Sequence, residues 1–207
     1  MQIPAKKITA LNRLIFIGNL NKHKGIHLLL RVLHAIPENK RPSLEILGIG
    51  EMKDELETYC IDNKLTNQVT FHGMQKDVSA FIEKSDVLIL PTYTEAFALV
   101  LVEALRTGIP VITTDAKYGP REILAIDDEI TERDYIETTS GILLAAPSYI
   151  EDVVEDMSST TLTPFEKRLL SVLSKENNFI VDETLCDRFD KNKIVSEWKE
   201  LLNKICQ

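Results

Sequence analysis

Short runs rich in Ile, Leu and Val recur along the chain, and each is followed by a segment with helical patterning. RLIFIG (13–18), LEILG (44–48), VTFHG (69–73), DVLILP (86–91) and PVITT (110–114) alternate with GIHLLLRVLHAI (25–36), a stretch near 51–63, DVSAFIEKS (77–85), ALVLVEALRTG (98–108) and PREILAI (120–126). The strand segments are close to continuously apolar, which a sheet covered on both faces requires and a sheet with one wet face does not. Repeated βα units of this kind predict an α/β fold, a Rossmann-like doubly wound parallel sheet. Such sheets take ligands outside the carboxyl ends of their strands, so the loops after residues 17, 47, 72, 90 and 114 are where a site is expected.

Length and charge narrow the function classes. A chain of 207 residues suits one domain, read as 1–207. Hydrophobic residues at 44% and charged residues at 27% argue against wholesale disorder. A formal charge of −8 disfavours nucleic acid as a partner, since duplex binding needs a basic surface that displaces counterions. Cys60, Cys186 and Cys206 are scattered, without CxxC spacing, and are expected to be reduced thiols. MQIPAKKITALNR has no apolar signal region, and no run approaches the ~20 apolar residues of a membrane span. The expected location is cytoplasmic, with peripheral contact at the inner face of a membrane compatible with it.

Three stretches carry candidate chemistry. In GNLNKHKGI (18–26), Gly18 ends the first strand, Asn19 follows it, and Lys22 and Lys24 precede a helix, the pattern of an anion site or of a solvated lysine pair. In LGIGEMKDEL (47–56), Gly50 marks either a tight turn or a close backbone approach to a nucleotide. The nicotinamide fingerprint fails there, because Lys53 stands at the third glycine position. In PTYTEAFALVLVEALRTG (91–108), a helix expected from about Phe97 places Glu95 at the crevice mouth and the amides of Phe97, Ala98 and Leu99 at a phosphate-favouring N-terminus. At ~100° per residue, Glu103 returns to within roughly 80° of the direction of Glu95. Apolar neighbours surround Glu103, so a buried carboxylate there would need a partner.

Other motifs are absent or weak. His23 and His27 have i, i+4 spacing but no acidic metal ligand nearby, so no metal is expected. There is no GxSxG elbow and no GxxxxGK[ST] phosphate loop. From about 147 to 182 the pattern becomes less regular, with a helix start at Thr163, Pro164 and Glu166. The amphipathic helix at about 190–205 carries Ile194, Val195, Trp198, Leu201 and Leu202 on one stripe, and is expected to pack on the domain.

FIGNLNKHKGI, LEILGIGE, VTFHG, SDVLILPTYTEAFALVLVEALRTGIPVITTD, YGPREIL and SGILL, in this order, resemble the C-terminal, donor-binding half of retaining GT-B glycosyltransferases of family 4, also called glycosyltransferase group 1. DRFDKNKIVSEWKELL is similar to that family's closing helix. The resemblance implies Glu95 at the transferred sugar, Glu103 on the ribose hydroxyls, and Lys24 on the diphosphate. It also implies that Gly73, Met74 and Gln75 form the turn that holds the base through backbone groups. Glu95 and Lys24 would then be the catalytic residues, and no cofactor or metal is implied, the nucleotide sugar being a substrate.

Family members usually carry arginine at Asn19 and glycines at Ala96 and Ala98. They also have an N-terminal acceptor domain, which is expected to be absent from residues 1–207 and to come in cis or in trans. YGPREIL is closer to bacterial members that build surface polysaccharides from UDP-hexoses or UDP-N-acetylhexosamines, with saccharide or lipid-linked acceptors. A non-catalytic nucleotide-sugar-binding or scaffold module is the alternative, with Asn19, Ala96 and Ala98 as marks of lost activity. An epimerase acting on nucleotide sugars is a further one.

Overall fold

The computed structural model describes residues 7–116, 118–127, 134–154 and 156–205; Cys206, expected to be a reduced thiol, lies outside them. The chain runs β1 (Lys7–Ile8), β2 (Arg13–Ile17), α1 (Ile26–Ala35), β3 (Ser43–Leu47), α2 (Lys53–Asp62), β4 (Val69–Gly73), α3 (Ser79–Ile82), β5 (Val87–Leu90) and α4 (Leu99–Arg106). It continues through β6 (Val111–Thr114), α5 (Pro120–Ile123), β7 (Tyr135–Thr138), β8 (Gly141–Leu144), α6 (Pro164–Ser174), β9 (Phe179–Ile180) and α7 (Lys191–Ile205). Seven strands form one sheet in the order β4-β3-β2-β5-β6-β8-β7, parallel except for β7, which pairs antiparallel with β8.

This order is the doubly wound one. From β2 the chain steps outward to β3 and β4, then returns to the other side of β2 with β5 and steps outward again. The two directions part between β2 and β5, which is the topological switch point where such sheets take ligands. Successive residues of the central strands, Leu14 to Phe16, Val87 to Leu90 and Ile142 to Leu144, are all buried, so the sheet is covered on both faces. The edge strand β4 departs from this: only Val69 is fully buried, and His72 bonds Glu45 of β3 across the strand pair.

Two pieces of β-structure have no counterpart in the sequence reading. β7 forms a hairpin with β8 through Thr139 and Ser140, and β1 pairs antiparallel with β9. Both are short, and a strand of two to four residues leaves too little alternation to register as a period.

The less regular stretch is ordered by buried charge. Arg31 of α1 donates through Nε to Glu166 Oε1 (2.6 Å) and through Nη2 to Glu166 Oε2 (3.2 Å). Its remaining donors reach the carbonyls of Met157 (3.1 Å), Ser159 (2.6 Å) and Thr161 (2.7 Å). Glu166 also closes the capping box with Thr163 at the start of α6. With side chains 2% and 0% exposed, this pair ties α1, the 157–161 segment and α6 into one unit.

α7 corrects an expectation. Its residues 191–203 are exposed, including the stripe of Ile194, Val195, Trp198, Leu201 and Leu202, so the helix does not bury that face against this domain. Periodicity shows that a helix has an apolar face; it does not show which surface covers it.

Candidate functional site

The loops after β2 and β5 meet at the switch point and are bonded to each other. His23 lies in a 3-10 turn, Lys22–Lys24, and its carbonyl accepts from the Tyr93 amide (2.8 Å) and the Thr92 hydroxyl (2.9 Å). Thr114, at the end of β6, donates in turn to the Thr92 carbonyl (2.6 Å). Gly25 makes this approach feasible. Its φ of +69° favours glycine, and a Cβ there would overlap the Pro91 carbonyl oxygen and lie 2.9 Å from its carbon.

Within this frame the Lys24 Nζ donates to Glu95 Oε2 at 2.6 Å, with the side chains 25% and 12% exposed. The two residues are 71 apart in sequence and come from opposite sides of the switch point. Lys24 stands near residues of two cavities. Its Cγ lies 4.0 Å from where a Cβ of Gly18 would be, and Gly18 lines a cavity of about 380 Å³ with Ile17, Asn19, Leu47, Met74 and Gln75 among its walls. Its ammonium reaches Glu95, which lines a second cavity of about 360 Å³ with Thr94, Ala96, Ala116 and Tyr118. A cation beside Glu95, with wall residues of two recesses close by, suits an elongated ligand with negative charge at its middle.

The larger recess is built from the ends of β2, β3 and β4. Gly18, Asn19, Met74 and Gln75 all line it, and Gln75 is steadied by a bond from Nε2 to the His72 carbonyl (2.7 Å). Gly73 has φ +65° and open space where a Cβ would go. Gly50 behaves differently: a Cβ there would collide with the Leu20 carbonyl and the Asn19 side chain. The close backbone approach at Gly50 is one of chain to chain.

The helix start differs from the sequence reading. α4 begins at Leu99 with Ala98 as N-cap, two residues later than expected, and the Leu99 amide bonds the Phe97 carbonyl (3.1 Å). Residues 95–98 are consequently not helical, and helical periodicity does not relate Glu95 to Glu103. Glu103 is exposed on the second turn of α4, so its carboxylate is not the buried group that its apolar neighbours suggested. Those neighbours fill the opposite face, where Leu101, Val102, Ala104 and Leu105 are buried. Phe97 packs edge-on to Phe189 at 5.3 Å between centroids, and Leu99 is exposed.

Ala96 and Ala98 have different surroundings. Ala98 is buried with φ −83°, a conformation any residue adopts, so its methyl packs into the protein. Ala96 is exposed and lines the smaller recess.

Further residues shape the site without having been singled out as site residues. Tyr93 stacks on His27, with ring centroids 6.2 Å apart and nearly parallel, and its hydroxyl donates to the Asp152 carbonyl (2.7 Å). Burial, helped by Asp152, pushes the Tyr93 phenol up, which keeps it a neutral donor. Burial likewise lowers the His27 imidazole to about 4, with Lys22 and Arg31 adding to the effect, so His27 is neutral near pH 7. Its Nδ1 is buried without a hydrogen-bond partner. Burial pushes the Cys60 thiol up to about 12 and raises that of Cys186, so both are protonated and inert. The aromatic between two threonines in PTYTE was the available signal for Tyr93, but its spacing could not reveal a partner at residue 152.

No helix among the described residues is long and apolar enough to cross a membrane. The seven-strand sheet is that of solved GT-B domains. The lipopolysaccharide outer core galactosyltransferase WaaB, in its apo form, superposes with a TM-score of 0.68 at 21% identity, over 94% of this chain and 49% of that one. The pneumococcal O-GlcNAc transferase GtfA, in complex with UDP and GlcNAc, gives a TM-score of 0.64 at 19% identity, over 100% of this chain and 40% of that one. An uncharacterized glycosyltransferase of Methanocaldococcus jannaschii is 34% identical over 201 residues, covering 91% of this chain and 48% of the relative. The chain thus spans about half the length of that relative. The family model for glycosyl transferases group 1 matches residues 3–159, which include both recesses and the Lys24–Glu95 pair. On that match and on the archaeal relative, this chain belongs to the group 1 glycosyl transferases.

Proposed function

We propose that this chain is the donor-binding half of a retaining family 4 glycosyltransferase, taking a UDP-sugar and transferring its hexosyl or N-acetylhexosaminyl group. The observation that carries the reading is the Lys24–Glu95 pair at the switch point, with Glu95 lining one recess and Lys24 next to Gly18, which lines another. The base would lie in the larger recess against the backbone at Met74 and Gln75, the sugar beside Glu95, and the diphosphate between them at Lys24 and the α4 N-terminus. Exposed Glu103 would meet the ribose hydroxyls.

The charges fit the reaction. Breaking the bond from the anomeric carbon to the diphosphate leaves positive charge on the sugar and negative charge on the leaving group. Glu95 would stabilise the first. Lys24 has three N–H donors, so one can stay on Glu95 while others turn to phosphate oxygens. In the free chain the same pairing keeps a part-buried carboxylate from standing alone beside the place where an anion binds. The residues that would neutralise the diphosphate are protein groups, and the reading calls for no metal.

UDP in the complex of GtfA supports the choice of base, and the name of WaaB supports a place in bacterial surface polysaccharide synthesis. The acceptor, a saccharide or a lipid-linked one, would be held by an N-terminal domain supplied in cis or in trans. The exposed apolar stripe of α7 and the half-length match to the archaeal relative both accord with such a domain.

Asn19 favours a second reading, a non-catalytic module, because its neutral amide brings no second cation to the diphosphate. Incubating the chain together with its N-terminal domain and a radiolabelled UDP-sugar separates the two. Transfer or hydrolysis that disappears in Glu95→Gln and Lys24→Ala supports the enzyme. Donor binding with no turnover under any acceptor supports the module.

A further inference from the structure

The turn that follows β8 reaches across to the Lys24 turn. Tyr149, at the tip of that crossing, places its hydroxyl 2.8 Å from His23 Nδ1. Its ring packs on Tyr93 at 4.7 Å between centroids and edge-on to His23 at 6.0 Å. His23 is therefore held at two ends, its ring by Tyr149 and its carbonyl by Tyr93 and Thr92. Lys24 follows directly, its amide bonded to Asn21 Oδ1 at 3.1 Å. A single 3-10 turn has few bonds of its own, so external bonds like these decide where its last residue sits.

The crossing turn is itself anchored. Asp152 is buried, and its carboxylate accepts from the amides of Ser148 (2.8 Å) and Phe165 (2.7 Å), while its carbonyl accepts from Tyr93. Ser148 Oγ accepts from the amides of Ile150 and Glu151 at 3.1 and 3.3 Å. The Tyr149 backbone is thus fixed to α6 and to the PTYTE loop. Its side chain, however, is 53% exposed, so the hydroxyl has water available and does not need His23 to avoid an unmet desolvation cost.

We propose that Tyr149 is a positioning residue for Lys24, holding the turn so that the ammonium stays where it meets both Glu95 and the donor diphosphate. The proposal rests on the donor-site reading. Ordering a lysine side chain on a ligand costs rotamer freedom, and a backbone already fixed in the bound position lowers the remaining cost. Tyr149 acts through His23, so its effect is expected at the diphosphate end.

The test is a double-mutant cycle on the full chain, with calorimetry for UDP and ligand-observed NMR for uridine. Tyr149→Phe keeps the ring on Tyr93 and removes only the hydroxyl. The loss of one hydrogen bond predicts UDP binding about three- to tenfold weaker, with uridine binding unchanged. In the Lys24→Ala background the same substitution is expected to change UDP affinity by less than about twofold, because coupled residues are not additive. Undiminished UDP binding in Tyr149→Phe, equal weakening of UDP and uridine, or a full additional loss in the Lys24→Ala background would each overturn the proposal. Failure of the unsubstituted chain to bind either ligand would overturn the donor-site reading first, and this one with it.

Discussion

Replacing Gly25 by alanine is expected to loosen the site and the fold together. The residue sits at φ +69°, where an L side chain costs about 1–2 kcal/mol. Its new Cβ would overlap the Pro91 carbonyl oxygen, which is backbone and cannot rotate away, so the β2 and β5 loops must separate. Separation breaks the bond from the Tyr93 amide to the His23 carbonyl, worth about 1 kcal/mol, while the Thr92 hydroxyl keeps the Thr94 carbonyl that it reaches at 2.7 Å. The sum is a loss of about 2–3 kcal/mol. Urea unfolding with the m-value checked for two-state behaviour measures it. Because Lys24 and Glu95 stand on the two separated loops, UDP binding should weaken in the same variant under conditions where it remains folded. A loss below about 1 kcal/mol with UDP binding intact would refute the claim that close packing at Gly25 builds the site.

Two further outcomes concern the surroundings of the site. Glu166→Ala leaves the Arg31 guanidinium buried without its counter-charge, and should cost about 3–5 kcal/mol in urea unfolding. Joint replacement as Arg31→Met/Glu166→Leu should relieve only the unpaired charge, because the carbonyls of Met157, Ser159 and Thr161 and the Thr163 amide lose their partners as well. His27 has its native pKa depressed to about 4, against 6.5 unfolded, so the unfolded chain binds the extra proton between those values. Its contribution is present above pH 6.5 and is lost as pH falls towards 4, by about 3 kcal/mol in all. His27→Gln should flatten the dependence of stability on pH across that window.

The doubly wound sheet was legible because its determinant is local: continuous Ile, Leu and Val segments such as VLIL, separated by helical periods. The Lys24 and Glu95 positions were legible for a related reason, since each stands in a loop at the carboxyl end of a strand, where the fold predicts a site. Their pairing across 71 residues was not, because contact depends on the strand order β2-β5, and no spacing in the chain records it. Glu103 shows the converse. Apolar neighbours on both sides suggested burial, but α4 starts at Leu99, and that phase turns Glu103 outward and Leu101, Val102, Ala104 and Leu105 inward. The α7 stripe was correctly read as apolar and wrongly assigned a cover. The roles of Tyr93, Asp152 and Tyr149 arise wholly from tertiary packing against a segment whose composition is polar and acidic.

Calorimetric titration of the chain with UDP, GDP and ADP, repeated with Lys24→Ala, tests the central claim most directly. The account predicts that UDP binds most tightly and that Lys24→Ala weakens it by roughly tenfold or more, the loss of one charge-assisted contact to phosphate. Absence of binding by all three nucleotides, or UDP binding indifferent to Lys24→Ala, would contradict it.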